Sequence, residues 1–295
     1  MNIGFIGAGK VGRALGLYFK KHSLDVVGFC SRTLKSAQEA AQITNTDCFD
    51  SIEKLIGACD LIFITTSDHA LTDVDKQVSI LITNQSNFLH KVWIHTSGAF
   101  PSNCLTGIKS AGCPVGSMHP LQSFGDPIVS ADLLEKTFFS IEGTRQALNA
   151  IKDILHQTGG IFNEISADLK PLYHAGACVI SNYLVTLIDC GMRLMEVSGM
   201  DRDSLFQAIR PLISGTLKNI QEKGPVDALT GPIVRGDYDT ISVQLNAIES
   251  KLPGETEIYR GLALRTVSMV EGEKLDHEQA KIFWKLLKGS VNNGQ

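Results

Sequence analysis

The sequence predicts a doubly wound, mainly parallel α/β sheet followed by an all-α domain. Three observations predict it. Short apolar runs alternate with helical patterns through the first half, and a glycine-rich turn joins the first strand to the first helix. After Asp168 the strand signals stop and apolar residues recur at helical spacing. A chain of 295 residues is long for one core. The expected domains are therefore 1–166 and 167–295.

The opening stretch, NIGFIGAGKVGRALGLYFKKH, reads as an apolar strand, a tight turn and an amphipathic helix. Gly7, Gly9 and Gly12 form G-x-G-x-x-G where that spacing has a mechanical meaning. The first glycine permits the turn, the second admits a pyrophosphate close to the backbone, and the third lets the helix pack on the sheet. Lys10 and Val11 begin the helix, whose free N–H groups and positive dipole end would face the phosphates. The first domain is therefore expected to be a Rossmann-type dinucleotide-binding unit.

The second strand, DVVGFC, runs into Ser31, Arg32 and Thr33. An NAD-preferring site usually carries an acidic residue about here for the ribose hydroxyls. A guanidinium between two hydroxyls suits a 2′-phosphate instead, which predicts NADP(H). A plainer reading has Ser31 or Thr33 capping the next helix and Arg32 in solvent. Both readings can hold together.

Further strands follow in DCF, CDLIFITT, KVWIHTSGA, PVGSMHPLQSF, KTFFSIEG and GGIFNEIS, with helices between them. In such sheets ligands lie beyond the carboxyl ends of the strands. That singles out Thr65, Thr66, Ser67 and Asp68, then His95 to Gly98 with Ser97 among them, then His119 and Gln122. Thr66 and Ser67 are assigned to the cofactor, and Ser97 and His119 to the substrate. The plain alternative is that the Ser, Thr and Asp residues cap or turn and that His119 is a hydrogen-bonded structural histidine.

In the second half Asp168 reads as a helix N-cap with Pro171 in the first turn. Leu172, Ala175, Val179, Tyr183 and Leu187 then recur onward to Met195, and further helices are expected over 201–223, 237–251, 255–274 and 276–288. Lys170 and His174 are neighbours around the first of these helices, with Ser181 near the same line and Asn182 further round. A reductase needs a proton donor for the alkoxide formed by hydride addition, and a lysine ammonium supplies one. Lys170, His174 and Asn182 are thus the catalytic candidates, against a plain reading of surface lysine and satisfied histidine. In LTGPIVRGDYDT, Arg235 could hold a substrate carboxylate or stand solvated beside a helix capped by Asp237.

Taken in order, GFIGAGKVGRALG, SRT, IHTSGA, SMHPLQSF, LKPLYHAGACVISNYL and LTGPIVRGD resemble an oxidoreductase family that joins a Rossmann-like domain to a helical domain of poorly defined activity. The architecture is similar to the 6-phosphogluconate dehydrogenase-like superfamily, with ketopantoate reductase, pyrroline-5-carboxylate reductase, prephenate dehydrogenase and the β-hydroxyacid dehydrogenases. Some nearer members are an alternative type of ketopantoate reductase. The resemblance implies that Lys170 matches the proton-donating lysine of ordinary ketopantoate reductases. Their asparagine one turn later is replaced here by His174, and Asn182 lies two turns beyond.

Composition is that of an ordinary globular protein, 43% hydrophobic and 20% charged with net charge −4. It gives no reason to expect nucleic acid or an anionic membrane as partner. Runs such as LIFI are too short to span a bilayer, and the early first strand leaves no room for a targeting segment. Seven scattered cysteines without zinc spacing point to a reducing cytoplasm and no metal. The expectation is a cytoplasmic, homodimeric, NADPH-dependent reductase of a small 2-oxo acid, ketopantoate foremost. An imine reductase of the pyrroline-5-carboxylate type and a non-catalytic NADP(H) sensor are the alternatives.

Overall fold

The computed structural model describes residues 1–288. Eight strands, β1 Ile3–Ile6, β2 Val26–Cys30, β3 Asp47–Phe49, β4 Leu61–Ile64, β5 Val92–His95, β6 Val115–Pro120, β7 Phe138–Gly143 and β8 Ile161–Glu164, form one sheet in the order β3-β2-β1-β4-β5-β6-β7-β8. All pairs are parallel except β6 with β7. The expected doubly wound sheet is present.

The connecting helices are α1 Lys10–Lys21, α2 Leu34–Thr44, α3 Ile52–Ala58, α4 Asp68–Asn84, α5 Thr106–Ser110, α6 Pro127–Leu134 and α7 Arg145–Gln157. They cover both faces, which explains why the inner strands read as continuous apolar runs. Alternate residues enter opposite cores: Phe5, Leu61 and Phe63 pack in one cluster, Ile6, Ile62 and Ile64 in the other. Phe5 stacks between Phe29 and Phe63 at 4.9 and 5.4 Å.

The helical region comprises α8 Lys170–Ile180, α9 Asn182–Val197, α10 Arg202–Ala228, α11 Tyr238–Lys251, α12 Thr256–Val270 and α13 His277–Lys288. Two details differ from expectation. Asp168 lies in a short 3-10 turn and Leu169 takes the cap position, with no side-chain cap bond. The helix from Lys170 breaks at Ser181 instead of running on. As the expected segment 201–223 requires, the helix after Asp201 is interrupted at Gly224, whose φ of 79° is open to glycine, before Pro225. Asp237 does cap α11, accepting from Thr240 N–H at 3.1 Å.

The chain divides into compact units Met1–Asn182 and Tyr183–Gln295, later than the expected 166/167 boundary. The reason is that α8 is bonded to the sheet through Lys170 and Tyr173. The helical unit has its own core, with Ile241, Val267, Phe283 and Leu287 buried together. By length and composition alone, Ala167–Val197 could cross a membrane, at a mean hydropathy of 1.4.

Candidate active site

The turn between β1 and α1 has the predicted mechanics. Gly7 adopts φ 110°, and its N–H donates to Cys30 O at 2.8 Å. A side chain at Gly12 would strike Gly7 O and Thr65 Oγ1 at 2.5 Å each, so only glycine lets the helix come this close. A Cβ at Gly9 would meet nothing within 4 Å. Gly9 is also the N-cap of α1 and offers no side-chain bond to the helix N–H groups, including those of Lys10 and Val11. Open space above unsatisfied donors fits a dinucleotide pyrophosphate.

The carboxyl end of β4 completes this cradle. Thr65 is spent internally, its hydroxyl donating to Gly7 O at 2.7 Å. The Thr66 hydroxyl is buried without a partner among the described residues, which suits a polar ligand atom beside it. Ser67 is the exposed N-cap of α4 and makes no side-chain cap bond, with Asp68 in the first turn behind it.

After β2, Thr33 caps α2 by accepting from Ser36 N–H. Arg32 is exposed and has no ion-pair partner among the described residues, beside half-buried Ser31. Sequence reasoning missed Arg13. Its guanidinium donates to Ala8 O and Glu39 Oε2, both at 2.8 Å, and so ties the glycine turn to α2.

A cavity of about 310 Å³ opens at the carboxyl end of β6, lined by His119, Gln122, His174, Cys178, Ser181 and Asn182 among others. Among the described residues no Lys, Arg, Asp or Glu is in its lining. His119 Nδ1 lies 2.9 Å from the Tyr173 hydroxyl. The rings of His119 and His174 meet edge to face at 6.0 Å. Both press on Gly98, where a Cβ would sit 2.7 Å from His119 Nε2 and 2.5 Å from His174 Nδ1. The latter atom is buried without a partner among the described residues. Burial first, then the charge of Lys170 and the neighbouring His174, pushes the His119 pKa down to about 4. Asn182 Nδ2 stands 3.9 Å from Cys178 Sγ.

Lys170 is not in this cavity. The expectation of a proton-donating Lys170 meets a side chain with no exposure at all. Its ammonium donates to Ser117 Oγ and, at 3.2 Å, to Glu142 Oε1. The Glu142 carboxylate also accepts from the N–H and the hydroxyl of Ser102, both at 2.7 Å. Burial lowers the Lys170 pKa and Glu142 opposes that shift. Lys170 is the first residue of α8, and its side chain passes under the helix toward the β6–β7 ribbon.

The remaining candidates fall into place more simply. Ser97 accepts from the N–H groups of Ala99 and Phe100 at 3.2 and 3.1 Å and shapes the loop over Gly98. His95 is fully buried, its pKa pushed down to about 3 by burial and by Lys170, and it accepts from Ser97 N–H. Arg235, in the helical unit, donates to Thr230 O at 2.8 Å within its own loop. A larger cavity of about 410 Å³ in the helical unit is bordered mainly by aliphatic side chains with Lys251 as its one charged residue, and lacks a comparable cluster. Two further residues escaped sequence reasoning. Glu142 was signalled by a carboxylate inside the apolar strand FFSIEG, and Tyr173 by standing next to His174.

Comparison with known proteins agrees with this fold. No curated protein matches the chain. Protein TM1727 from Thermotoga maritima is 23% identical with a TM-score of 0.69, covering 92% of this chain and 99% of that one. BF3122 from Bacteroides fragilis, provisionally named an NADP oxidoreductase, is 21% identical with a TM-score of 0.72 over 90% and 97%. A reductive aminase from Aspergillus terreus, solved with NADPH and ethyl-5-oxohexanoate, is 16% identical with a TM-score of 0.62 over 96% and 99%. These likenesses establish the fold. Residues 1–120 match the Rossmann-like domain, and residues 137–266 match a domain of unknown function, DUF2520. The chain therefore joins a Rossmann-like domain to a DUF2520 domain.

Proposed function

We propose that this protein is an NADPH-dependent oxidoreductase that reduces the carbonyl of a small molecule. One observation carries the reading: a glycine cradle with open space at Gly9 and a cavity with two imidazoles lie at the carboxyl ends of one sheet. Gly7, Gly9, Gly12 and Thr66 would hold the pyrophosphate side, with Arg32 toward a 2′-phosphate. When bound, the reduced nicotinamide supplies hydride to the substrate carbon. The solved relatives described as an NADP oxidoreductase and as an NADPH-bound reductive aminase support the coenzyme.

Within carbonyl compounds, a 2-oxo acid such as ketopantoate is the class to which the sequence points. Gln122, Ser181 and Asn182 offer neutral groups for its carboxylate in the cavity. A second reading is favoured by the absence of Lys and Arg from that lining. An iminium arrives already activated and needs no cationic donor, so imine reduction is the competing chemistry. Apolar side chains left exposed on α9 and α10, Val185 at 69% and Leu212 at 65%, support a homodimer.

The test is loss of NADPH absorbance with ketopantoate, other 2-oxo acids and cyclic imines, with NADH in parallel. Turnover of a 2-oxo acid with NADPH preferred is the expected result. Turnover confined to imines moves the protein to the second reading. NADPH binding without any turnover overturns both and leaves a sensor.

A further inference from the structure

The cavity contains two imidazoles, but only one is connected to a second proton-bearing group. His119 is on β6 and Tyr173 on α8, and their ring centroids lie 5.6 Å apart, edge to face. The 2.9 Å separation of Nδ1 and hydroxyl is a hydrogen bond. A phenol has one proton to give, and neutral imidazole has one acceptor nitrogen. With the phenol as donor, His119 must carry its own proton on Nε2. That atom has no hydrogen-bond partner among the described residues and belongs to a side chain lining the cavity. Gly98, with no side chain to interpose, lets Nε2 pack this close to the loop after β5.

We propose that Tyr173 and His119 form a neutral proton relay, with His119 Nε2–H as the donor to the substrate and Tyr173 as the group that resupplies it. The proposal rests on the carbonyl-reductase reading and assigns that site its acid. As hydride adds to the carbonyl carbon, the π electrons collect on oxygen. The Nε2–H bond breaks as the O–H bond forms, and the imidazole lone pair on Nδ1 takes the phenol proton. Tyr173 is left as phenolate and His119 with its proton on Nδ1; solvent water then delivers a proton to Nε2 as the Nδ1 proton returns to the phenolate, which restores both the phenol and the starting tautomer. His119 is the catalytic residue here, and Tyr173 acts through it.

The surroundings favour a neutral relay over an imidazolium acid. The charged and titratable groups facing His119 are Lys170, Tyr173 and His174 on α8, with His95 on β5. Among them Lys170 carries the positive charge, which opposes a second one on His119. Burial keeps the Tyr173 phenol protonated at neutral pH, an effect that nearby Ser140 partly offsets. A neutral imidazole used as hydrogen-bond donor to a developing oxyanion is a known solution to the same problem.

The experiment has two arms on the full-length protein. In the first, imidazole ¹⁵N shifts report the tautomer of His119 in the protein without substrate. The expected result is a neutral ring with the proton on Nε2 from about pH 5.5 upward, converted to a tautomer mixture in Tyr173→Phe. A ring protonated near neutral pH, or one with its proton fixed on Nδ1, overturns the relay. In the second arm, kcat is measured against pH for wild type, Tyr173→Phe, His119→Asn and the double variant. Tyr173→Phe should lower kcat by about 10- to 100-fold with NADPH affinity unchanged, and add little in the His119→Asn background. Wild-type kcat should be flat from about pH 6 to about 9, since no imidazolium is consumed. A Tyr173→Phe rate equal to wild type overturns the relay alone. A wild type that turns over only preformed iminium, or no substrate in the panel, overturns the carbonyl reading and the relay with it.

Discussion

Helix α8 carries two polar clusters one turn apart, and they have opposite characters. Lys170 is sealed beneath the helix against Ser117 and Glu142, a directly opposed pair on β6 and β7. His174 lines a cavity with His119, two residues further along β6 than Ser117, and Tyr173 is hydrogen-bonded to that histidine. Ser117 and His119 point to the same face of the sheet because side chains alternate. What separates the clusters is distance from the strand end: the inner one has no route to solvent, and the outer one does. Lys170 is thus held in a buried ion pair, while Tyr173 is bonded to a histidine that lines the cavity. Residue type alone does not assign a role; the shell of partners does.

The largest expected effect tests that contrast directly. Lys170→Met leaves the Glu142 carboxylate buried beside Ser102 without its cation, and should cost about 3–5 kcal/mol in urea unfolding. Adding Glu142→Leu removes the uncompensated charge and should recover part of the loss, though Ser102 then forfeits its acceptor. The double variant should therefore fall between the single one and wild type. A single-variant loss below about 1 kcal/mol would mean that the pair is open, and would return Lys170 to the list of proton donors. A drop in activity of Lys170→Ala proves nothing by itself, because a partly unfolded protein gives the same reading.

Acid sharpens the contrast next. His119 and His95 have pKa values held at about 4 and about 3 in the folded protein, below the ordinary 6.5. Between those limits the unfolded chain binds more protons than the folded one, so stability rises with pH there. The contribution is complete above about pH 6.5 and is lost as the pH falls toward 4, by on the order of 3 kcal/mol or less for His119. Urea midpoints at stepped pH should show this decline. His119→Asn should remove its share and leave that of His95. A midpoint flat across this range in wild type would mean that both rings are solvated in the folded state.

These effects mark where the sequence was readable. The glycine turn, the alternating strands and the cap at Asp237 are local patterns, set by φ, by side-chain period or by a hydroxyl or carboxylate a few residues away. The pairing of Lys170 with Glu142 and Ser117 spans 28 and 53 residues. No local period encodes it, and it depends on β7 running antiparallel to β6. The same holds for Tyr173 with His119, 54 residues apart. His174 and Asn182 could be named as site residues because their spacing on a helix is local. Which of their neighbours was a partner could not be named. The break at Ser181 belongs to this second class, since the sequence pattern continues through it unchanged.

The smallest effect distinguishes the two readings of SRT that the sequence left open. Thr33 caps α2, so Thr33→Ala should lower stability by about 1 kcal/mol. It should weaken NADPH and NADH binding alike, if at all. Among the described residues Arg32 has no partner to lose, so Arg32→Ala should leave stability within about 0.5 kcal/mol of wild type. If its guanidinium meets a 2′-phosphate, NADPH affinity should fall about tenfold while NADH is unaffected, consistent with about 1.5 kcal/mol for a hydrogen bond to a charged group. Adding salt should shrink that difference, because the arginine is exposed and its charge is screened. Equal losses for the two coenzymes would place Arg32 against a part they share, such as the adenine face. No loss for either would leave Arg32 as a solvated charge beside a capped helix, and the preference for NADPH would then need another source.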